Sequence, residues 1–248
     1  MKILLPLLLT VSICTTVVTS QENWYCINSC TELLGKDLPG NAGPGQIILP
    51  HPSHPNCQLL VTYRAWVCLE NVNGSWQLAY RLSITGWAPV DINDPGCTGL
   101  KSEMYPSGYP GPVNQDYVLN MFSSLMPIVS EYYFINDPDS LPSSFRCPAV
   151  YRTQEFVQGS CVKLVQGSHI STQAGIVLNP FFSLAWCTYI CCTTTIAHCY
   201  NTETNTVQTV VQSSSGPPRG CDALDRIAPP PSGTILSTTC RSTCPINP

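Results

Sequence analysis

The stretch Ala185-Trp-Cys-Thr-Tyr-Ile-Cys-Cys-Thr-Thr-Thr-Ile-Ala-His-Cys-Tyr200 decides how the rest of the chain is interpreted. It contains four cysteines, Cys187, Cys191, Cys192 and Cys199, and it is rich in Thr, Ile, Tyr and Trp. β-Branched and aromatic residues favour a pleated, half-buried surface. The composition therefore predicts one β-strand over 185–200, which disulfides attach to neighbouring elements.

A zinc site is the alternative for this stretch, because His198 lies among the four cysteines. Residues of a strand rise about 3.3 Å each, so Cys187 and Cys191 would lie roughly 13 Å apart. Zinc needs its ligands about 2.0–2.3 Å from one ion, and bonded cysteines need Cα atoms within about 7 Å. A single strand meets neither condition, so each cysteine is expected to reach a different element. We predict structural disulfides and no metal ligand.

Residues 1–20 have the features of a secretory signal. Lys2 supplies the positive charge, Ile3 to Val18 is mostly apolar, and Ser20 is a small residue at the expected cleavage site. The apolar run is too short and too interrupted for a good membrane span. We therefore predict an exported protein, secreted, extracellular or periplasmic, without a membrane span.

The charge balance argues against a nucleic-acid partner. Loss of Lys2 with the signal changes 11 basic and 15 acidic residues to 10 and 15, a net charge of −5 for the mature chain. Charged residues make up 10% of the sequence, against about 25% in typical domains. This composition is typical of an extracellular surface, and it contains no basic patch for phosphates.

The cysteine count indicates an oxidising compartment. The chain has 15 cysteines, and Cys14 lies within the signal, which leaves an even number of 14. Adjacent strand residues point to opposite faces, so Cys191 and Cys192 are expected to bond to separate partners rather than to each other. The disulfide candidates are Cys26, Cys30, Cys57, Cys68, Cys97, Cys147, Cys161, Cys187, Cys191, Cys192, Cys199, Cys221, Cys240 and Cys244.

A β-hairpin is the clearest local prediction. Two strand-like runs over 59–70 and 75–87 flank Asn73-Gly74, the strongest two-residue hairpin signal. With this turn, paired residue numbers sum to 147, and Val67 lies opposite Tyr80. One face is then wholly apolar and is expected to face the core. Its members are Tyr63, Ala65, Val67, Leu69, Leu78, Tyr80, Leu82 and Ile84. The other face is mostly polar, and its Cys68 needs a cover or a bridge.

The turn also carries an N-glycosylation sequon, Asn73-Gly74-Ser75. A glycan fits an exposed turn tip, so Asn73 is a glycosylation candidate if the source is a eukaryote. The sequence nominates no catalytic, cofactor-binding or metal-binding residue.

The periodicity becomes helical after Asn114, a residue that can cap a helix. The apolar residues Tyr117, Val118, Met121, Phe122 and Leu125 follow at helical spacing. We predict a helical excursion near 115–133, which Pro127 should end or kink. The segment 90–113, with its Pro-Gly breakers, is predicted to be a loop.

The remaining patterns are those of strands. A second hairpin is predicted from 150–158 and 161–166 around Gly159-Ser160, and a third from the cysteine-rich strand through 201–205 into 206–212. The predicted fold is mainly β (α+β), with antiparallel hairpins in a disulfide-stabilised, sandwich-like domain over 21–248. A split near 140–146 into two β modules is the alternative.

Catalytic motifs are missing from the sequence. It contains no Gly-x-Ser-x-Gly, His-Glu-x-x-His or P-loop pattern. The prolines beside His51 and His54 indicate a surface loop with no carboxylate nearby. We therefore predict an extracellular or cell-surface binding or structural protein that needs no cofactor, with a protein or glycan surface as its partner. The alternative is an exported hydrolase, glycosidase- or esterase-like, with carboxylates such as Glu131 and Asp137.

Overall fold

The structure, a computed structural model, describes residues 32–33, 45–136, 144–159, 161–171, 177–187, 191–215, 233–236 and 240–242. The predicted signal and Asp137 lie outside these residues, as do the candidates Cys26, Cys30, Cys221 and Cys244. In chain order the elements are β1 (Glu32–Leu33), β2 (Gly45–Pro50), β3 (Gln58–Val72), β4 (Ser75–Pro89), α1 (Thr98–Met104), α2 (Gln115–Asn136), β5 (Arg152–Gly159), β6 (Cys161–Ser171), β7 (Val177–Trp186), β8 (Cys191–Asn201), β9 (Thr206–Ser215), β10 (Thr234–Ile235) and β11 (Arg241–Ser242).

The β3–β4 hairpin has the predicted turn and register. Asn73 and Gly74 have φ values of 53° and 85°, as a type I′ turn requires. Val67 lies opposite Tyr80, and the sum of 147 holds from Val72 back to Tyr63. Between Thr62 and Tyr63 the register shifts by one. The local pattern fixed the register near the turn, and a bulge changes it beyond.

The two faces of this hairpin are buried differently from the prediction. On the predicted core face, Leu82 is fully buried, but Leu78 nearer the turn is 52% exposed. Trp76, two residues closer to the turn on the same strand, is 56% exposed. On the predicted polar face, Trp66 and Cys68 are buried and pack with Val157 of β5 in a small second cluster. The hairpin therefore extends beyond the main core at its tip, and part of its other face is covered.

The sheet branches at β4. One side of β4 pairs with β3 along its length, whereas the other side pairs with β5 at 80–82 and with β7 at 86–87. The bulge opposite Thr62 lies between these two segments, where a bulge bends a strand and increases its twist. Gly86 lies at the contact with β7: a Cβ built there would be 2.3 Å from the Phe181 ring and 2.8 Å from the Phe182 carbonyl oxygen.

The described strands belong to one eleven-stranded sheet. Its main path runs β10-β6-β7-β4-β5-β8-β9, with β3 beside β4. The β4–β5 pair is parallel, and the other pairs of named strands are antiparallel. The mainly β, disulfide-bonded fold class is confirmed, and strands from both sides of 140–146 lie in the same sheet.

The predicted second hairpin is wrong. β5 pairs with β4 and β8, whereas β6 pairs with β7, β10 and β11. Gly159 therefore ends a strand of one branch, and Cys161 begins a strand of the other. The turn-like Gly159-Ser160 sequence therefore suggested a hairpin where the two strands have different partners. The third hairpin, β8–β9, is confirmed, with Asn205 at a φ of 56° in its turn.

The cysteine-rich stretch is two strands rather than one. β7 ends at Trp186, and β8 begins at Cys191. The Cys187 amide donates a hydrogen bond to the Cys161 carbonyl oxygen at 2.8 Å, which closes the end of the β6–β7 pair. Propensity for the extended backbone is similar on both sides of the break, so composition alone did not reveal it.

Among the described residues two α-helices cover the sheet, where one was predicted. α2 begins after Asn114, whose Oδ1 accepts a hydrogen bond from the Tyr117 amide at 3.2 Å, so the predicted cap is confirmed. The helix continues through Pro127 to Asn136, beyond the predicted end. α1 lies within the predicted loop and buries Leu100 and Met104. The Pro95-Gly96 breaker lies in a turn of 3₁₀-helix directly before α1, and α1 itself has only seven residues.

The main core lies between the helices and the sheet. Phe122 and Leu125 of α2 pack in one cluster with Trp87 of β4, Phe156 of β5 and Phe182 of β7. Each such side chain contributes about 1.5–3 kcal/mol when it is buried rather than exposed. The branch at β4 is thus covered by α2, and this arrangement places the two polar clusters described below.

We expect Gly86→Ala to destabilise the fold by about 1–3 kcal/mol, because the Phe182 carbonyl oxygen is backbone and cannot move aside. Urea denaturation would measure the change, with Gln77→Ala at an exposed position of β4 as the control. The backbone of Gly86 suits other residues, so without the close contact alanine should stabilise by about 0.4–1 kcal/mol. A stabilised variant would contradict the branch geometry.

Candidate functional site

The loop 51–57 is ordered by its own hydrogen bonds. The His51 amide donates to the Cys57 carbonyl oxygen, and the Cys57 amide donates to the His54 carbonyl oxygen, both at 2.8 Å. A disulfide joins Cys57 to Cys97 at the start of α1. The predicted surface loop is therefore only partly correct, because His51 is 1% exposed.

His51 is held as a neutral imidazole. Its Nδ1 accepts hydrogen bonds from the Ser53 and His54 amides, each at 3.0 Å. The ring proton must therefore be on Nε2, which lies 3.0 Å from the Tyr117 hydroxyl oxygen and donates to it. Burial, with a smaller contribution from His54, lowers the pKa of His51 to about 4. A protonated His51 would carry a hydrogen on Nδ1, and this hydrogen would face the hydrogens of the two amides.

Glu103 of α1 completes this cluster. Since Tyr117 accepts from His51, its own hydroxyl proton is free to donate to the Glu103 carboxylate. His54 Nε2 lies 3.0 Å from Glu103 Oε2. The hydrogen bond from Tyr117, followed by that from His54, lowers the pKa of Glu103. The expectation of no carboxylate near the histidines was therefore wrong. Glu103 is 49 residues from His54 in the sequence, so no local pattern connects the two.

The exposed part of the cluster lies along α1. The His54 side chain is 24% exposed and the Glu103 side chain 44%. Gly99 lets the His54 ring approach, since a Cβ there would lie 2.5 Å from the ring. Further along the helix, Lys101 Nζ lies 4.9 Å from the centre of the Tyr109 ring. We call four side chains that are at least partly exposed, His54, Glu103, Lys101 and Tyr109, the α1 surface.

A second polar cluster lies between α2 and the sheet. Ser130 Oγ is 2.6 Å from His198 Nε2, and His198 Nδ1 is 3.1 Å from Thr209 Oγ1. Thr209 donates its one hydroxyl proton to Glu131 Oε2 at 2.8 Å, so His198 Nδ1 must be the donor to Thr209. Ser130 and His198 are 68 residues apart, and no local motif connects them.

The protonation of His198 also determines whether Ser130 donates or accepts the hydrogen bond between them. Burial, followed by the positive charge of Arg152, lowers the pKa of His198 to about 4. Neutral His198, protonated on Nδ1, accepts at Nε2, so Ser130 donates to it. Gln154 Oε1 lies 2.7 Å from Ser130 Oγ. The Gln154 Nε2 has no hydrogen-bond partner among the described residues. A half-turn of this amide makes Gln154 the donor to Ser130.

The resulting chain, from Ser130 through His198 and Thr209 to Glu131, has the order of a hydrolase relay. Ser130 and His198 nevertheless have no exposed surface. His198 also stacks on Phe134, with ring centres 5.2 Å apart. A nucleophile must reach its substrate, so this cluster acts in the folded protein as a buried polar contact between helix and sheet.

The described cysteines are all disulfide-bonded. Bridges join Cys57 to Cys97, Cys147 to Cys199, and Cys187 to Cys240. The other described cysteines, also bonded, are Cys68, Cys161, Cys191 and Cys192. Separate partners for Cys191 and Cys192 stay a prediction. In the described part of the chain, no three His, Cys, Asp or Glu side chains are placed to hold a metal ion.

Asn73 lies exposed at the hairpin tip, far along the sequence from both clusters. Among the helices that the structure describes, none combines the length and apolar character needed to cross a bilayer.

Tyr117→Phe should destabilise the fold by about 1–3 kcal/mol and raise the pKa of Glu103. The variant removes the acceptor of the His51 proton and a donor to the carboxylate, and unsatisfied buried groups cost about this much. Denaturation and an NMR titration of Glu103 would measure the two effects. Tyr151→Phe, at a 40% exposed tyrosine, is the control. An unchanged Glu103 titration would contradict the hydrogen-bond order.

The stability of the protein should fall as the pH drops from about 6.5 towards 4. The pKa of His198 is about 4 in the folded protein against 6.5 ordinarily, so above 6.5 the residue is neutral in both states. Below 6.5 the unfolded chain takes up a proton that the folded chain does not. Urea denaturation at a series of pH values gives the unfolding free energy as a function of pH. The slope of this dependence should differ between wild type and His198→Gln by up to about 1.4 kcal/mol per pH unit.

The control Gln77→Ala should keep the wild-type slope of unfolding free energy against pH. The comparison between variants removes the contribution of groups in other parts of the fold, such as His51, whose pKa is also lowered to about 4. Equal slopes for wild type and His198→Gln would contradict the buried neutral imidazole.

Comparisons with known proteins give no family for the chain. No protein-family description matches it, and neither a curated protein nor a solved structure does. Its function has to be argued from its own residues.

Proposed function

We propose that the chain is an exported, disulfide-stabilised binding protein whose ligand surface includes the α1 surface. Its disulfides fit an oxidising environment, as the predicted signal over 1–20 requires. The partner is a protein or glycan surface that presents hydrogen-bond donors, and no cofactor takes part.

The observation that carries the proposal is the exposed, prearranged carboxylate of Glu103. Tyr117 and His54 fix its orientation from behind, and their hydrogen bonds favour the anion. Its side chain is 44% exposed, so acceptor positions remain available to hydroxyl or amino groups of a ligand. The Cys57–Cys97 bridge holds the supporting loop against α1. Groups ordered before binding reduce the entropy lost on association.

Tyr109 adds an aromatic side chain to the α1 surface, where Lys101 Nζ lies 4.9 Å from the centre of its ring. Its side chain is 37% exposed, and its ring lies 4.8 Å from that of Tyr105 in an edge-on arrangement. Aromatic side chains offer large, rigid contact areas that keep one polar end. Such a ring beside hydrogen-bonding groups suits a sugar or an amphipathic side chain.

An exported hydrolase is the second candidate, favoured by the 2.6 Å contact between Ser130 and His198. The complete burial of both side chains argues against it. For the protein to act as a hydrolase, α2 would have to move away from β8 so that substrate reaches Ser130 Oγ.

The test combines a glycan array and an extracellular-protein binding screen with a serine-directed fluorophosphonate probe. We expect a ligand whose affinity falls at least about tenfold with Glu103→Gln, since hydrogen bonds to charged groups contribute about 1.5–3 kcal/mol. Glu203→Gln, in the exposed β8–β9 turn, should bind normally. No ligand in either screen, with probe labelling that Ser130→Ala abolishes, would replace the proposal with the hydrolase.

A further inference from the structure

The tip of the β3–β4 hairpin exposes two large apolar side chains. Trp76 is 56% exposed and Leu78 52%. The sequence from Asn71 to Ala79 contains no Asp, Glu, Lys or Arg. Tryptophan is among the residues least expected at an open surface, because its large indole gains from contact with other groups. The tip therefore has the character of a surface that another group covers.

The sequon supplies a candidate for that group. Asn73-Gly74-Ser75 is the one Asn-x-Ser/Thr sequence in the chain with x other than proline. Asn73, Gly74 and Ser75 are all exposed, and a Cβ built on Gly74 would meet nothing within 4 Å. The space around the acceptor amide is open.

The register places the acceptor close to the exposed indole. Asn71 lies directly opposite Trp76 across the hairpin, and Asn73 is three residues from Trp76, at most about 11 Å of extended backbone. The first sugars of a glycan on Asn73 are long enough to cover this distance. Sugar rings carry C–H groups on one face, which pack on an indole, while their hydroxyl groups remain in water.

We propose that Asn73 carries an N-linked glycan whose core sugars pack on Trp76. In the transfer step, Asn73 Nδ2 forms a bond to the anomeric carbon of a lipid-diphosphate-linked oligosaccharide. The bond from that carbon to the diphosphate breaks, the lipid diphosphate leaves with the electron pair, and the amide loses one proton. The glycan makes an uncharged, apolar tip soluble. The proposal rests on the proposed export, through a eukaryotic secretory route.

The first measurement uses the full-length sequence expressed in secreting eukaryotic cells. It is the intact mass of the mature protein from the medium, before and after treatment with an amidase that releases N-glycans. We expect a loss of mass and conversion of Asn73 to Asp in the treated peptide. Ser75→Ala should abolish the glycan without changing Asn73. Ser75→Thr, the matched control, should keep it.

The second measurement tests the contact with Trp76. Removal of the glycan should lower the melting temperature of the wild type and should change that of Trp76→Ala less. Leu78→Ala alters the same exposed face but keeps the indole, so it should respond to deglycosylation as the wild type does. An equal response of Trp76→Ala and wild type would overturn the packing of the glycan on the indole.

Thiol counting on the same samples separates this proposal from the one on which it rests. Secreted, disulfide-bonded protein of unmodified mass would overturn the glycan and leave export standing. Protein retained inside the cells with free thiols would overturn export and the glycan together.

Discussion

The fold depends on the contact of one strand with three others. β4 pairs with β3 on one side, and on the other it pairs first with β5 and then with β7. The register shift opposite Thr62 bends the strand between the two contacts, and Gly86 removes the side chain that would separate β4 from Phe181 and Phe182. Both branches of the sheet, and the core that α2 covers, follow from this change of partner.

Buried polar groups explain how α2 is oriented on the branched sheet. Ser130 lies on the helix, Gln154 on β5 and His198 on β8, so their hydrogen bonds connect three elements. Leaving any of these groups unsatisfied in the interior would cost about 1–3 kcal/mol. Apolar contacts alone would tolerate small shifts of the helix along the sheet, whereas this set of hydrogen bonds allows one position. On the loop side, His51 and Tyr117 connect residues 51–57 to the start of the same helix.

Two of the disulfides join the ends of elements. The bridge between Cys57 and Cys97 closes the loop before β3 onto α1, and that between Cys187 and Cys240 joins the end of β7 to the segment before β11. They span 40 and 53 residues, for which the chain-entropy treatment gives about 4 kcal/mol each. These two bridges fix irregular segments, including the loop that supports Glu103.

The sequence by itself determined the features that depend on near neighbours. Asn73-Gly74 set the turn and the register of the adjoining strands, Asn114 set the start of α2, and the cysteine content predicted a disulfide-bonded chain. Each of these follows from backbone preferences or alternation within a few residues. Tertiary structure alone decided that β5 joins β4 rather than β6, and that His54 meets Glu103. It also decided that Ser130 meets His198. Such pairings depend on how distant segments close loops and fill a common core, and no local period records that choice.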